Sequence, residues 1–413
     1  MGPVRRRVSA RADTWETRRA IAGGLALGAA CGVNILNVGA IPDPLAAAYG
    51  VSLATVGLFT TALLVAHTLV QIPGGRAIDR FGARRMGLAF LVVGAAGNAV
   101  VTIAPEPALV LGLRPVIGLS TGIGFVAGID YIRAAGGSAV AQGLFGGVAM
   151  GGGGLALAVV PLLEPALDWR APFFFGVAVS IASALILLRG PRDEPRIAAP
   201  SAGPRPTIFQ LATDQRLARL VVLHTATFGS SLLIGTWVVA LLVRLGHSQE
   251  AAGAIGAVAL GLTIVSRPLG GWLLDRYPDH IGAALAGSIV VSALGCAGLA
   301  AGGPVGAAVV SAAAVGLGAG IAFAPVVTGA MRRRPDAPGV AVGTVNMWGN
   351  LFVLAATPLV GYAFSIGGGG RVAFLVLAAL WAAALMALPG LSSRVADPAR
   401  ARVAPAAERG FRS

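Results

Sequence analysis

The stretch QIPGGRAIDRFGARR, from Gln71 to Arg85, decides the reading of this chain because it returns in altered form as RPLGGWLLDRY, from Arg267 to Tyr277. Asp79 and Asp275 stand 196 residues apart (275 − 79), and Gln71 and Arg267 stand at the same offset (267 − 71). Both copies read Gly-Gly-x-x-x-Asp-Arg directly after a Pro-containing apolar run. A motif repeated at nearly half the length of a 413-residue chain predicts two related halves.

Composition sets the class of those halves. Hydrophobic residues make up 56% and charged residues 12%, and the mean hydropathy is +0.81. So few charges do not coat a soluble globule, and apolar runs of about 20 residues recur along the chain, which predicts a polytopic membrane protein. The 60 Gly would weaken helices in water. In a bilayer, small residues let helices approach closely.

The net charge of +14 comes with 31 basic residues, all of them Arg. On the spans below, Arg170, Arg244 and Arg371 fall on one side and Arg114 and Arg267 lie within spans. The rest gather on the opposite side, in the amino tail, the loops after the second, fourth, eighth and tenth spans, the central loop and the carboxyl tail. That asymmetry predicts a plasma-membrane protein with both termini cytoplasmic, and it leaves no soluble basic face for nucleic acid. Cys31 and Cys296 sit in apolar segments, which supports neither a disulfide framework nor a metal cluster. The basic start and the apolar run from Ile21 resemble a signal peptide in outline; the run is of full span length and further spans follow, so it reads as an uncleaved first helix.

Residues 1–19 read as a cytoplasmic tail without fixed structure, 20–188 as a six-helix half, 189–219 as a cytoplasmic linker, 220–388 as a second six-helix half and 389–413 as a further cytoplasmic tail. The expected spans are 20–41, 52–75, 85–104, 108–132, 141–163 and 171–188, then 220–242, 251–274, 281–301, 305–331, 340–364 and 372–388. The linker carries Arg, Pro and acidic residues, and its end from Phe209 to Leu220 alternates apolar and charged residues at helical spacing, as an interfacial helix would.

Gly75-Arg-Ala-Ile-Asp79-Arg80-Phe-Gly82-Ala-Arg84-Arg85 resembles the signature loop between the second and third helices of the major facilitator superfamily. Arg114-Pro-Val-Ile-Gly118, with Gly122 and Gly124, resembles that superfamily's fourth-helix pattern. The resemblance implies an all-α membrane protein of twelve transmembrane helices, in two six-helix bundles about a central cavity that opens alternately to each side. Read physically, Gly75 and Gly82 permit close packing and turning, Asp79 accepts hydrogen bonds from a helix amino end, and Arg80, Arg84 and Arg85 hold the loop at an anionic surface. The loop is expected to latch one conformation, or only to fix topology; Asp275 and Arg276 should act similarly but more weakly.

Charged residues within spans are functional candidates by default, since an unpaired charge there costs several kcal/mol. Arg267 lies eight residues before Asp275, about 12 Å along a helix, which puts it near mid-membrane, with Thr263 on the same face. The segment from Ser266 to Arg276 resembles the eighth helix of nitrate/nitrite porters, and the resemblance implies that Arg267 binds an anion. The family's second Arg is replaced here by Gln71, which suits a monoanion with a polar or apolar remainder, such as a small carboxylate. The alternative is that Arg267 pairs with a helix carboxyl end or the linker. Further cavity candidates are Asn34, Asn346 and Asn350, with His67, His224 and Arg114 open between packing and cavity roles.

No Asp or Glu lies deep in any span, so a carboxylate proton relay is not evident. No nucleotide loop, metal spacing or nucleophile elbow appears; the Gly316-Leu-Gly318-Ala-Gly320 run follows no strand and reads as helix packing. The chain is expected to be a cofactor-free, non-enzymatic, monomeric secondary transporter of a small, anionic solute among membrane lipids. The alternatives are transport of a neutral or cationic compound with Arg267 structural, and a non-transporting membrane sensor, against which the short tails count.

Overall fold

A computed structural model describes residues 3–51, 53–192, 209–210, 213–364, 368 and 370–388. Most of the expected linker, from 193 to 208, and the carboxyl tail from 389 lie outside the described residues. Among the described residues every regular element is helical.

The first half comprises α1 (Pro3–Leu36), a short α2 (Pro42–Tyr49), α3 (Leu53–Leu69), α4 (Gln71–Phe81), α5 (Ala83–Val101), α6 (Pro107–Ala134), α7 (Ala139–Leu167) and α8 (Ala171–Leu188). The second half comprises α9 (Gln215–His224), a π-helical turn at Thr225–Gly229, α10 (Ser230–Arg244), α11 (Gln249–Arg276), α12 (Ile281–Ala301), α13 (Val305–Ile321), α14 (Phe323–Arg333), α15 (Pro338–Ala363) and α16 (Arg371–Ala384). Among the described residues ten helices are long and apolar enough to cross a bilayer, the bent α3–α4 pair makes an eleventh, and the shorter apolar segment Arg371–Ala387 a twelfth.

Two details depart from the expected boundaries. Residues read as an unstructured tail extend α1 back to Pro3, since Arg and Ala are good helix formers. At its other end α1 stops at Leu36 rather than Ile41, because the Asn37 side chain accepts from the Val38 N–H (2.9 Å) and caps a separate 3-10 turn.

Proline breaks two of the spans. Pro73 has no N–H to give the Leu69 carbonyl, and α3 and α4 meet there at 51°. Pro325 likewise leaves the Ile321 carbonyl free, and the helix restarts as α14 at Phe323. Gly82, at φ +92°, then turns the chain from α4 into α5 in a conformation that a side chain would strain.

One buried cluster is built from residues 217–384 with Ala139 alone from the first half. A second belongs wholly to the first half. A third joins Phe125 and Phe145 of the first half to Phe323, Val327, Met331 and Val342 of the second. Val92, Leu185, Leu294 and Val376, on α5, α8, α12 and α16, are exposed, as residues are where lipid is the solvent.

The halves meet through matched glycines. Gly75 of α4 lies against Gly339 of α15, where a Cβ would stand 2.5 Å from the Gly339 carbonyl oxygen, and Gly271 of α11 lies against the Ala139 carbonyl of α7. Four residues along, Gly343 of α15 meets the Gln71 carbonyl and Gly143 of α7 meets the Arg267 carbonyl. The two crossings are therefore copies of one another, and each is a small-xxx-small pairing. Only one is capped by a carboxylate. Asp79 accepts from the N–H groups of Gly339 and Val340 (3.1 and 3.3 Å) in the first turn of α15, where the helix dipole favours negative charge. At the other crossing Ser138 caps its own helix α7, and Asp275 is exposed with no partner among the described residues.

Arg84 faces its own half, donating from Nε and Nη2 to the Leu187 and Leu188 carbonyls (3.2 and 2.7 Å) at the end of α8. Arg80 and Arg276 lie over the neighbouring rings of Phe81 and Tyr277. Near Asp79, Arg334 bridges Asp214 (2.6 Å) and Asp336 (3.0 Å), and Asp336 foremost holds the Arg334 pKa above the ordinary arginine value.

Arg114, fully buried, ties three helices of the first half together. Its Nε donates to the Phe59 carbonyl (3.1 Å), and its Nη1 donates to the Asn34 carbonyl (3.2 Å) and the Asn37 Oδ1 (3.1 Å). A cation there satisfies carbonyls freed at the end of α1. Arg114→Gln should strand those acceptors and destabilise the protein by roughly 2–4 kcal/mol, read as a lowered Tm in detergent; an unchanged Tm would refute the assignment. Gly343→Val should force α15 off the Gln71 carbonyl. Spin labels at Arg80 and Pro335, with Cys31 and Cys296 replaced, should then report a longer distance, whereas an unchanged distance distribution would show that the crossing tolerates a side chain.

Candidate substrate site

The sequence-predicted polar residues fall into two groups on opposite sides of the half-to-half contact. In the second half, Arg267 on α11 donates from Nη1 to the Gly146 carbonyl of α7 (2.7 Å), so it reaches across to the first half. Its guanidinium lies over the Phe323 ring at 4.6 Å, a cation–π geometry. Its Nε is buried without a partner, and among the described residues no carboxylate pairs with it. Thr263, one turn earlier, spends its hydroxyl on the Leu260 carbonyl (2.6 Å).

Phe323 also packs near His224 (6.2 Å), which stacks on Phe228 at 5.0 Å and 13°. Neither ring nitrogen of His224 makes a hydrogen bond of ordinary geometry, and the Asn346 side chain lies close enough to interact with the ring. The π-helical turn that follows His224 widens the helix, so residues four apart come into register and the two rings overlap. Gly349 of α15 lies against His224, and a Cβ there would stand 2.9 Å from the ring. Asn346, one turn before Gly349, is buried with Oδ1 unpartnered, and Asn350 donates to the Asn346 carbonyl (2.9 Å).

In the first half, His67 Nδ1 lies 2.9 Å from Thr121 Oγ1, and that hydroxyl donates to the Gly118 carbonyl (3.0 Å). The hydroxyl proton is thus spent, so Nδ1 carries the proton of the His67–Thr121 bond and Nε2 is left as an acceptor in the neutral ring. Gln71, just past the bend, donates from Nε2 to the His67 carbonyl (3.1 Å) and keeps Oε1 buried and unpartnered. His67 packs edge-on to Phe125 (6.4 Å), and Phe125 to Phe145 (5.2 Å).

Asn34 and Arg114 do not join this arrangement. Asn34 Oδ1 accepts from Asn98 on α5 (2.7 Å), its amide donates to the Ala30 carbonyl (2.8 Å), and Arg114 serves the network described above. The sequence reading missed Phe323, Phe228, Thr121 and the Gly146 carbonyl. For Phe323 a signal existed, since Phe125 stands 198 residues before it (323 − 125), close to the offset of the repeat.

The comparisons with known proteins follow this geometry. The family model for the Major Facilitator Superfamily matches residues 22–357. A search of curated protein sequences finds no significant match. Among solved structures, a variant of the E. coli fucose:proton symporter FucP superposes with a TM-score of 0.67 at 16% identity, covering 89% of this chain and 98% of that one. FucP in the outward conformation superposes at 0.71, again 16% identical, covering 91% and 98%. The latter likeness shows the shared fold and no more. With its repeated halves, its twelve apolar segments and a family match over most of its length, the chain belongs to the major facilitator superfamily and is a membrane transporter of small solutes, not an enzyme.

Proposed function

We propose that the chain carries a small anion, a nitrate-like ion or a small carboxylate, and binds it at Arg267. The observation that supports this reading is the guanidinium itself: buried between the halves, held at one nitrogen by the Gly146 carbonyl, free at Nε and without a carboxylate partner among the described residues. An uncompensated cation in a bilayer is costly, and an anion that completes its hydrogen bonds offsets that cost. Planar oxyanions match the fork of guanidinium donors.

Alternation follows from the paired crossings. The Arg-rich end of the molecule is cytoplasmic, both termini included, and a single chain in the plasma membrane suffices. With Asp79 on the first turn of α15 and the glycine crossings seated, the cytoplasmic end is shut. The loop from Gly75 to Arg85 is then the latch of that state, and Asp275 and Arg276 take the lesser part, since α7 has Ser138 as its own cap.

A second reading has one observation in its favour. FucP is a fucose:proton symporter, and Gln71 is neutral, so a neutral polyol could take the same place with Arg267 as a hydrogen-bond donor.

Counterflow in proteoliposomes separates the two. Labelled nitrate, nitrite or small carboxylates should exchange, and Arg267→Gln should reduce exchange to background while the Tm stays near native. Exchange of fucose but of no anion, undiminished in Arg267→Gln, would overturn the anion reading. Asp79→Asn removes the charge and one of the two acceptor oxygens at the amino end of α15 and should weaken that contact by about 1 kcal/mol, seen as a larger fraction of molecules whose Arg80 and Pro335 spin labels are far apart. No shift in that fraction would remove Asp79 from the latch.

A further inference from the structure

We infer that the solute held at Arg267 is a hydroxylated carboxylate rather than a bare oxyanion, its hydroxyl groups donating to Gln71 Oε1 and Asn346 Oδ1. This deepens the anion reading above and rests on it. The argument is one of donors and acceptors. Among the buried side chains with unpartnered polar atoms, four stand on the elements around the Arg267 guanidinium: Arg267 itself (4% exposed) at Nε, His224 (1%) at both ring nitrogens, Gln71 (0%) at Oε1 and Asn346 (2%) at Oδ1. Only the guanidinium among them is an obligate donor, and the two amide oxygens are obligate acceptors. The orientation of Gln71 is fixed, because its nitrogen donates to the His67 carbonyl and only the oxygen remains.

The residues that carry these atoms lie along one chain of contacts. The Gln71 carbonyl meets Gly343; Asn346 stands three residues further along α15, and Gly349 three beyond that, against His224. His224 packs near Phe323, and Phe323 lies under Arg267. Residues three apart on a helix are neighbours on its surface, so Asn346 stands between Gly343, which meets Gln71, and Gly349, which meets His224.

Nitrate, nitrite and simple carboxylates bring only acceptors. Bound at Arg267 they complete its donors and leave both amide oxygens buried and unsatisfied, which weakens their binding. A carboxylate with hydroxyl groups answers both demands, and sites that hydrogen-bond a hydroxyl discriminate strongly against analogues without it.

The test is calorimetric titration of the full-length protein in lipid nanodiscs with propionate, lactate, glycerate, nitrate and glycerol. Affinity should rise from propionate through lactate to glycerate, by about tenfold or more in all, with nitrate among the weakest. Gln71→Leu and Asn346→Leu should each shrink the ratio between glycerate and propionate. A flat series, or nitrate bound as tightly as glycerate, overturns the inference on the native protein alone. If that flat series is nevertheless lost in Arg267→Gln, the anion reading stands and only the hydroxyl readout fails. Glycerol binding that survives Arg267→Gln overturns the anion reading, and this inference with it.

Discussion

A helix backbone meets another backbone only where a side chain is missing, and Gly75, Gly143, Gly271 and Gly343 are the places where the halves of this protein do so. Everything at the centre is positioned by these crossings. The carbonyl met by Gly343 belongs to Gln71, and the carbonyl met by Gly143 belongs to Arg267, so the residues that answer each other in the two copies of the motif are also the residues seated on the opposite half. Motion of one half against the other therefore changes the surroundings of Gln71 and Arg267 directly, and no separate linkage is needed to couple binding to alternation. The run Gly151 to Gly154 fits the same logic: Gly152 packs on the Ala29 carbonyl of α1 and Gly151 faces Ile264 of α11, because α7 is squeezed between its own half and the other.

Breaks in the helices do the rest of the positioning. Pro73 turns the second span at the residue before Gln71, and Pro325 restarts the tenth at Phe323. Each break puts a functional side chain at the first residue of a fresh helix, where the backbone no longer constrains it to the line of the preceding segment. The π-helical turn after His224 is a third such irregularity. Irregular backbone at membrane depth is tolerated where it is buried in protein, which holds for Gln71, Phe323 and His224 alike.

Much of this was legible in the sequence. Hydropathy and the 196-residue repeat predicted the helical segments, and the resemblance of the Gly75–Arg85 loop named the superfamily, because both signals are written in local composition. The partner of Asp79 was legible only as a helix amino end; that the end belongs to α15, 260 residues away, is a fact of packing. Boundaries slipped where a single side chain decided them, as Asn37 does in ending α1. The partners of Asn34, which are Asn98, Ser180 and the Ala30 carbonyl, were not legible; a polar residue in a span has several faces on which to be satisfied, and one sequence does not say which.

Arg114 and Arg267 make the same point where it matters for mechanism. Both are buried arginines within spans, both precede a proline, and the sequence assigns them one rule: an intramembrane charge marks function. What separates them is how their donors are spent. Arg114 gives three hydrogen bonds to backbone and side-chain oxygens of its own half and keeps only Nη2 unpartnered, which makes it a rivet that moves with that half. Arg267 gives one, and gives it to the other half, so its bond to Gly146 exists only while the crossing is seated. A cation whose single protein acceptor is lost when the halves part has most to gain from an acceptor that travels with it. A bound carboxylate is such an acceptor, and it would stabilise the parted state more than the seated one. On the proposed anion reading the solute itself would loosen the seated crossing, and the charge that is costly to bury would make transport depend on occupancy.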